Sequence, residues 1–224
     1  MISVLIADDE NLMRAGLVEL LSSDAAIQIV GEASTGREAI HTAVRLRPDV
    51  VLMDIRMPDL DGIAATAELA RVAPDSRILI LTTFEDEDYI FRSLRAGASG
   101  FLLKRTRPED LIAAVHTVAL GDSLLSPSVT RLVIDRIAHH PIAATVGHHE
   151  IEGLTPRELE VLTLVARGLS NREIAAALTV EESAIRTHVK RILMKLQIRD
   201  RVQAVILAYE AGLIRARAAG GAPP

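Results

Sequence analysis

Five times in the first 120 residues, a short run rich in β-branched and aliphatic residues gives way to a stretch with apolar residues at three-to-four spacing. The runs are Ser3 to Ala7, Ile27 to Ala33, Val50 to Met53, Ile78 to Leu81 and Gly100 to Leu103. Between them, Leu12, Leu17, Leu20 and Leu21, then Ala39, Ile40, Ala43 and Val44, and finally Leu111, Ile112, Val115 and Val118 repeat at helical period. Strands that alternate with helices in this way predict an α/β, doubly wound, five-stranded parallel sheet with helices on both faces. In such a sheet, ligands bind beyond the carboxyl ends of the strands.

Those ends carry chemistry. Asp8, Asp9 and Glu10 follow the first run, Asp54 the third, Thr82 the fourth and Lys104 the fifth. Carboxylates gathered at one edge repel each other unless a cation intervenes, and a hard divalent ion with oxygen ligands, Mg2+ above all, suits them. Asp54 stands alone after its strand and is the better nucleophile, whereas the pair Asp8 and Asp9 is better placed to hold metal. A lysine and a hydroxyl beside them complete a phosphoryl-transfer site. Taken singly, each acid also fits an ordinary loop at a strand end.

Composition limits the alternatives. The 224 residues are 49% apolar with acids and bases nearly balanced, which supports packed cores, and there is no cysteine for disulfides or thiolate metal sites. The first seven residues lack a basic n-region and a cleavage site, and no apolar run is long enough to span a bilayer, so a cytoplasmic protein without a membrane role is expected. Charge is divided along the chain. Residues 1–120 hold 19 acids and 12 bases (net −7), while residues 154–224 hold seven acids and 11 bases (net +4). The front suits a cation and the back a polyanion.

The alternation stops at residue 121. Residues 121–153 read as a linker with one helix near Val129 to Ala138, its paired histidines solvated. Residues 154–214 read as four short helices without a strand, and residues 215–224 as a frayed Ala, Gly and Pro-rich tail. Thr155 with Glu158, and Ser170 with Glu173, have the spacing of capping boxes, and Gly168 stands where the helix before Ser170 should end. The helix expected from Glu182 to Leu196 has one apolar stripe (Ile185, Val189, Ile192, Leu193, Leu196) and an opposite basic face, with six bases and one acid between residues 186 and 201. Such a helix fits a DNA major groove, although a solvated basic face would read the same way.

The segments Ile6 to Glu10, Met53 to Gly62, Leu81 to Thr83 and Gly97 to Lys104 closely resemble the receiver domain of two-component response regulators, a flavodoxin-like fold. The resemblance implies that Asp54 accepts a phosphoryl group from a sensor histidine kinase. It further implies Mg2+ on Asp9, Asp54 and the Arg56 backbone carbonyl, with Asp8 assisting through water, Lys104 paired to the phosphate, and Thr82 and Phe101 as switch residues. The segments Leu154 to Leu162, Gly168 to Ala175 and Arg186 to Leu193 closely resemble the LuxR-type helix-turn-helix, and together the two halves resemble the NarL/FixJ class of transcriptional regulators.

That class implies a recognition helix from Glu182 to Leu196 reading double-stranded DNA at a two-fold promoter site. Arg186 and Lys190 would contact bases or phosphates, with Thr187, His188 and Lys195 on the backbone, Asn171 and Arg172 near phosphate, and Glu182, Ser183 and Arg191 completing the surface. Two positions depart from the usual pattern: Glu181 replaces the capping serine or threonine, and Ala184 a common hydroxyl residue. Thr179 is therefore expected to cap instead. The last helix, Arg201 to Ala211, would form a homodimer on phosphorylation through Val202, Val205, Ile206 and Tyr209, unless it simply closes the core. The expected protein is a switch, not an enzyme, catalysing only its own phosphoryl transfer and slow dephosphorylation. A constitutive DNA binder with a docking receiver, and an α/β phosphatase or mutase with an aspartyl nucleophile, remain as rival readings.

Overall fold

The computed structural model of the chain describes residues 1–83, 87–121, 151 and 153–214, which fall into two separate units. The linker helix expected near Val129 to Ala138, the histidine pairs and the tail lie outside the described residues.

In the first unit the strands are β1 (Ile2–Ala7), β2 (Ile27–Ala33), β3 (Val50–Met53), β4 (Arg77–Thr82) and β5 (Gly100–Leu103). Their order is β2-β1-β3-β4-β5, with every pairing parallel. The helices are α1 (Asn11–Ser22), α2 (Gly36–Leu46), α3 (Gly62–Val72), α4 (Glu87–Arg95) and α5 (Pro108–Ala119). All four residues of β3, and five of six in β4, are buried, as expected of central strands covered on both faces. On one face Val4, Ile6, Leu52, Leu79 and Leu81 pack with Leu17 and Leu21 of α1 and Leu111, Val115 and Val118 of α5. Each such side chain contributes roughly 1.5–3 kcal/mol of hydrophobic burial.

Register decides where the strands stop. Ala7 pairs with Met53, so the next residues, Asp8 and Asp54, emerge side by side, and the Asp54 N–H donates to the Ala7 carbonyl at 2.8 Å. Thr82 pairs with Leu103, which delivers Lys104 to the same edge.

The second unit contains four helices among the described residues: α6 (Pro156–Ala166), α7 (Asn171–Leu178), α8 (Glu182–Lys195) and α9 (Arg201–Glu210). Both capping boxes form as the spacing predicts, Thr155 with Glu158 and Ser170 with Glu173. Asp200, which spacing did not single out, caps α9 by accepting from the N–H groups of Val202 and Gln203. Three helices end in one motif, with a left-handed residue just past the cap: Gly168 (φ 84°), Gln197 (φ 54°) and Gly212 (φ 68°).

The expectation for Thr179 is overturned. Thr179 adopts the left-handed conformation (φ 53°) as the C-cap of α7, and Glu181 takes the N-cap position of α8 with no side-chain cap bond. Only three residues separate the helices, and the first must reverse the chain, so its hydroxyl is not at the start of α8. None of the described helices is long and apolar enough to cross a membrane.

Candidate functional site

At the carboxyl edge of the sheet, the Lys104 ammonium lies 2.7 Å from Asp8 Oδ2 and 2.8 Å from Asp54 Oδ2. All three side chains are buried, the most exposed at 8%. Asp9 is exposed at the rim, and Asp8, Asp9 and Asp54 each offer an oxygen within 4.8 Å of the others. Backbone N–H groups fix the two buried acids: Ile55 donates to Asp54 Oδ1 at 2.7 Å and Glu10 to Asp8 Oδ1 at 3.0 Å. Arg14 holds the Asp8 carbonyl at 2.7 Å.

Burial pushes the Asp54 carboxyl above its ordinary range, against the pull of Lys104. Burial also acts to lower Lys104, but its hydrogen bonds to Asp54 and Asp8 leave it raised. One ammonium among three carboxylates leaves an excess of negative charge facing the rim. Hard oxygen donors at this spacing fit a small divalent cation.

The loop after β3 is held by two close approaches that leave no room for a side chain. A Cβ on Gly62 would lie 1.8 Å from the Asp54 carbonyl oxygen, and one on Gly36 would lie 2.3 Å from the Leu60 carbonyl oxygen. Each glycine also donates its N–H across the gap, Gly62 to Ile55 at 2.8 Å and Gly36 to Leu60 at 3.2 Å. Asp61 caps α3 by accepting from the Ala64 N–H. These contacts fix the backbone that carries Asp54. Gly62 was visible in sequence only as part of a motif, and its signal was a glycine where a good helix former would otherwise start α3.

The remaining residues expected in the first unit are at or near this edge. Thr82 is fully buried, Phe101 is buried on β5, and the Lys104 N–H donates to the Thr82 carbonyl at 2.8 Å. The Arg56 guanidinium lies over the Tyr89 ring, 5.9 Å from its centroid. Tyr89, which the sequence did not single out, lines an open cleft with Asp9, Arg56, Met57, Pro58 and Asp61.

In the second unit, α8 turns Ile185 and Ile192 into the core. Ser183, Arg186, Thr187, Lys190 and Arg191 are exposed on it, as is Arg172 on α7. Arg186 donates twice to Glu182 Oε1, at 2.7 and 3.3 Å. His188 is half-buried, its Nδ1 enclosed without a hydrogen-bond partner. Asn171 at the start of α7 accepts from Arg201 at 3.0 Å, and Arg201 also donates to the Leu169 carbonyl.

Two of the expected contacts have partners inside the unit. The Lys195 ammonium is committed within the unit, donating to Glu158 at 2.7 Å and to the Gly153 carbonyl at 3.3 Å. Lys195, together with the Thr155 N–H, draws the Glu158 carboxyl down to about 2. The second concerns α9: Val202, Val205, Ile206 and Tyr209 are all buried, none more than 8% exposed, so they do not form an open apolar face. α9 packs against α6, and a four-helix unit this small needs its last helix to close the core.

Comparison with known proteins agrees with this division. Residues 4–116 match the model described as response regulator receiver domain, and residues 152–208 that of bacterial regulatory proteins, luxR family. The chain is 38% identical over 214 residues to the response regulator protein VraR of Staphylococcus aureus, covering 96% of this chain and 99% of that one. Among solved structures, the response regulator ChrA of a heme-sensing two-component system is 37% identical, with 95% of this chain and 98% of that one covered and a TM-score of 0.51. The RcsB response regulator of Salmonella typhimurium is 27% identical, with coverage of 92% and 98% and a TM-score of 0.55.

Proposed function

The chain belongs to the DNA-binding response regulators of two-component systems that join a receiver domain to a LuxR-type helix-turn-helix, and on that premise we propose that phosphorylation of Asp54 controls promoter binding by the second unit. The observation that carries the reading is the buried Asp54 carboxylate with the Lys104 ammonium 2.8 Å away and two further carboxylates beside it.

An Asp54 oxygen attacks the phosphorus of a phosphohistidine on a sensor kinase, and the bond from phosphorus to the imidazole nitrogen breaks. The imidazole leaves with that electron pair. Lys104 shifts its charge from the carboxylates to the new phosphoryl oxygens, and the Thr82 hydroxyl donates to them. Mg2+ held by Asp8, Asp9, Asp54 and the Arg56 carbonyl would neutralise charge on those oxygens. Movement of Thr82 is transmitted to Phe101, whose strand pairs with that of Thr82, and alters the surface of the fourth and fifth βα units.

The output is binding of double-stranded DNA by α8, with Arg186, Thr187, Lys190 and Arg191 toward the groove and Arg172 near phosphate at the start of α7. Two copies would bind a two-fold site as a homodimer, through surfaces other than the four buried α9 side chains. The protein acts in the cytoplasm as a switch.

Full-length protein incubated with Mg2+ and acetyl phosphate gains the mass of one phosphoryl group under this reading, and Asp54→Asn does not. An unchanged wild-type mass contradicts it.

A further inference from the structure

Glu182 and Arg186 form an ion pair along α8, and it lies in the first two turns, the part of a recognition helix that meets base edges. Arg186 donates two hydrogen bonds to Glu182 Oε1, while the side chains stay 65% and 41% exposed. We propose that the two residues act as one unit that reads a single G·C base pair in each half-site. The inference rests on the reading of α8 as the recognition helix.

Two physical points lead there. An arginine is a flexible side chain whose planar fork matches guanine O6 and N7, and a neighbouring carboxylate that fixes the fork removes part of the entropy lost on binding. A carboxylate accepts hydrogen bonds and donates none. Among major-groove edges it is repelled by guanine O6 and thymine O4 and attracted by amino groups, so Glu182 Oε2 suits the cytosine N4 amino group beside that guanine. Arg186 thus selects the guanine, and Glu182 both aims Arg186 and selects the cytosine opposite. The same carboxylate weakens binding to DNA that lacks the pair, which trades general affinity for discrimination.

The full chain, with Mg2+ and acetyl phosphate, is used to enrich bound duplexes from a randomised pool. Affinity is then measured for the enriched duplex and for duplexes with single base pairs exchanged, using wild type, Glu182→Gln and Arg186→Lys, each first checked for helix content by circular dichroism. Wild type should prefer G·C over A·T at one position per half-site by roughly tenfold or more. Both variants should relax that same position and leave preferences elsewhere unchanged. If Glu182→Gln tightens binding to every duplex equally and keeps all preferences, Glu182 only repels phosphate and the proposal is overturned. Enriched sites with no invariant G·C pair also overturn it, while DNA binding stands. A wild-type chain that retains no duplex at all sinks the DNA-binding reading itself.

Discussion

Lys195, on the last turn of the exposed basic helix, reaches back 37 residues to donate to the buried Glu158 at 2.7 Å. A lysine read from sequence as a phosphate contact is therefore a tie between α8 and the start of α6. Lys195→Met should destabilise the second unit by about 1–3 kcal/mol, less than the roughly 3–5 of a fully buried pair because Lys195 is 37% exposed. The salt dependence of DNA binding by the folded fraction should barely change. Urea unfolding and a salt titration separate the two effects.

The same pair gives a pH dependence with a definite sign. Glu158 is drawn from 4.5 in the unfolded chain to about 2 in the fold, first by Lys195, so its stabilisation is complete above the unfolded value. It is lost as pH falls through the window between those two values. Glu158→Gln should flatten the acid limb of the second unit's stability curve over that window, as measured by denaturant unfolding at a series of pH values.

Lys104 competes with any cation for Asp8 and Asp54, since it is within 2.8 Å of both. Lys104→Met removes that competitor and leaves the carboxylates uncompensated. The variant should melt lower than wild type without Mg2+ and gain more from added Mg2+. Thermal melts across a Mg2+ titration test this, and an unchanged Mg2+ response would contradict the placement of the cation.

Gly62 and Gly16 make a paired test. Gly62→Ala forces a Cβ against the Asp54 carbonyl and should cost about 1–3 kcal/mol and slow phosphorylation of the folded protein, because the loop bearing Asp54 must move. Gly16→Ala, where nothing lies within 4 Å of the new atom, should stabilise α1 by roughly 0.5–1 kcal/mol and leave phosphorylation alone. Stability and phosphorylation rate are measured on both.

Much of the first unit was legible because a buried parallel strand writes itself as an uninterrupted apolar run. The runs at Val50 to Met53 and Gly100 to Leu103 match β3 and β5, and the acids and lysine that end such runs fall on one edge. Capping boxes were legible because they are local. What escaped needed information from elsewhere in the chain or from backbone angles. Glu158, the partner of Lys195, is far away in sequence, and a threonine does not announce a left-handed conformation at residue 179. The apolar residues on both sides of α9 fit either a partner's surface or the unit's own core, and packing against α6 decides what periodicity leaves open.

The central claim is that chemistry at Asp54 governs DNA affinity in the other unit. The direct measurement is the affinity of wild type and Asp54→Asn for an enriched duplex, each with and without acetyl phosphate and Mg2+. Wild type should bind differently once phosphorylated while the variant stays constant; equal affinity in all four cases would contradict the account.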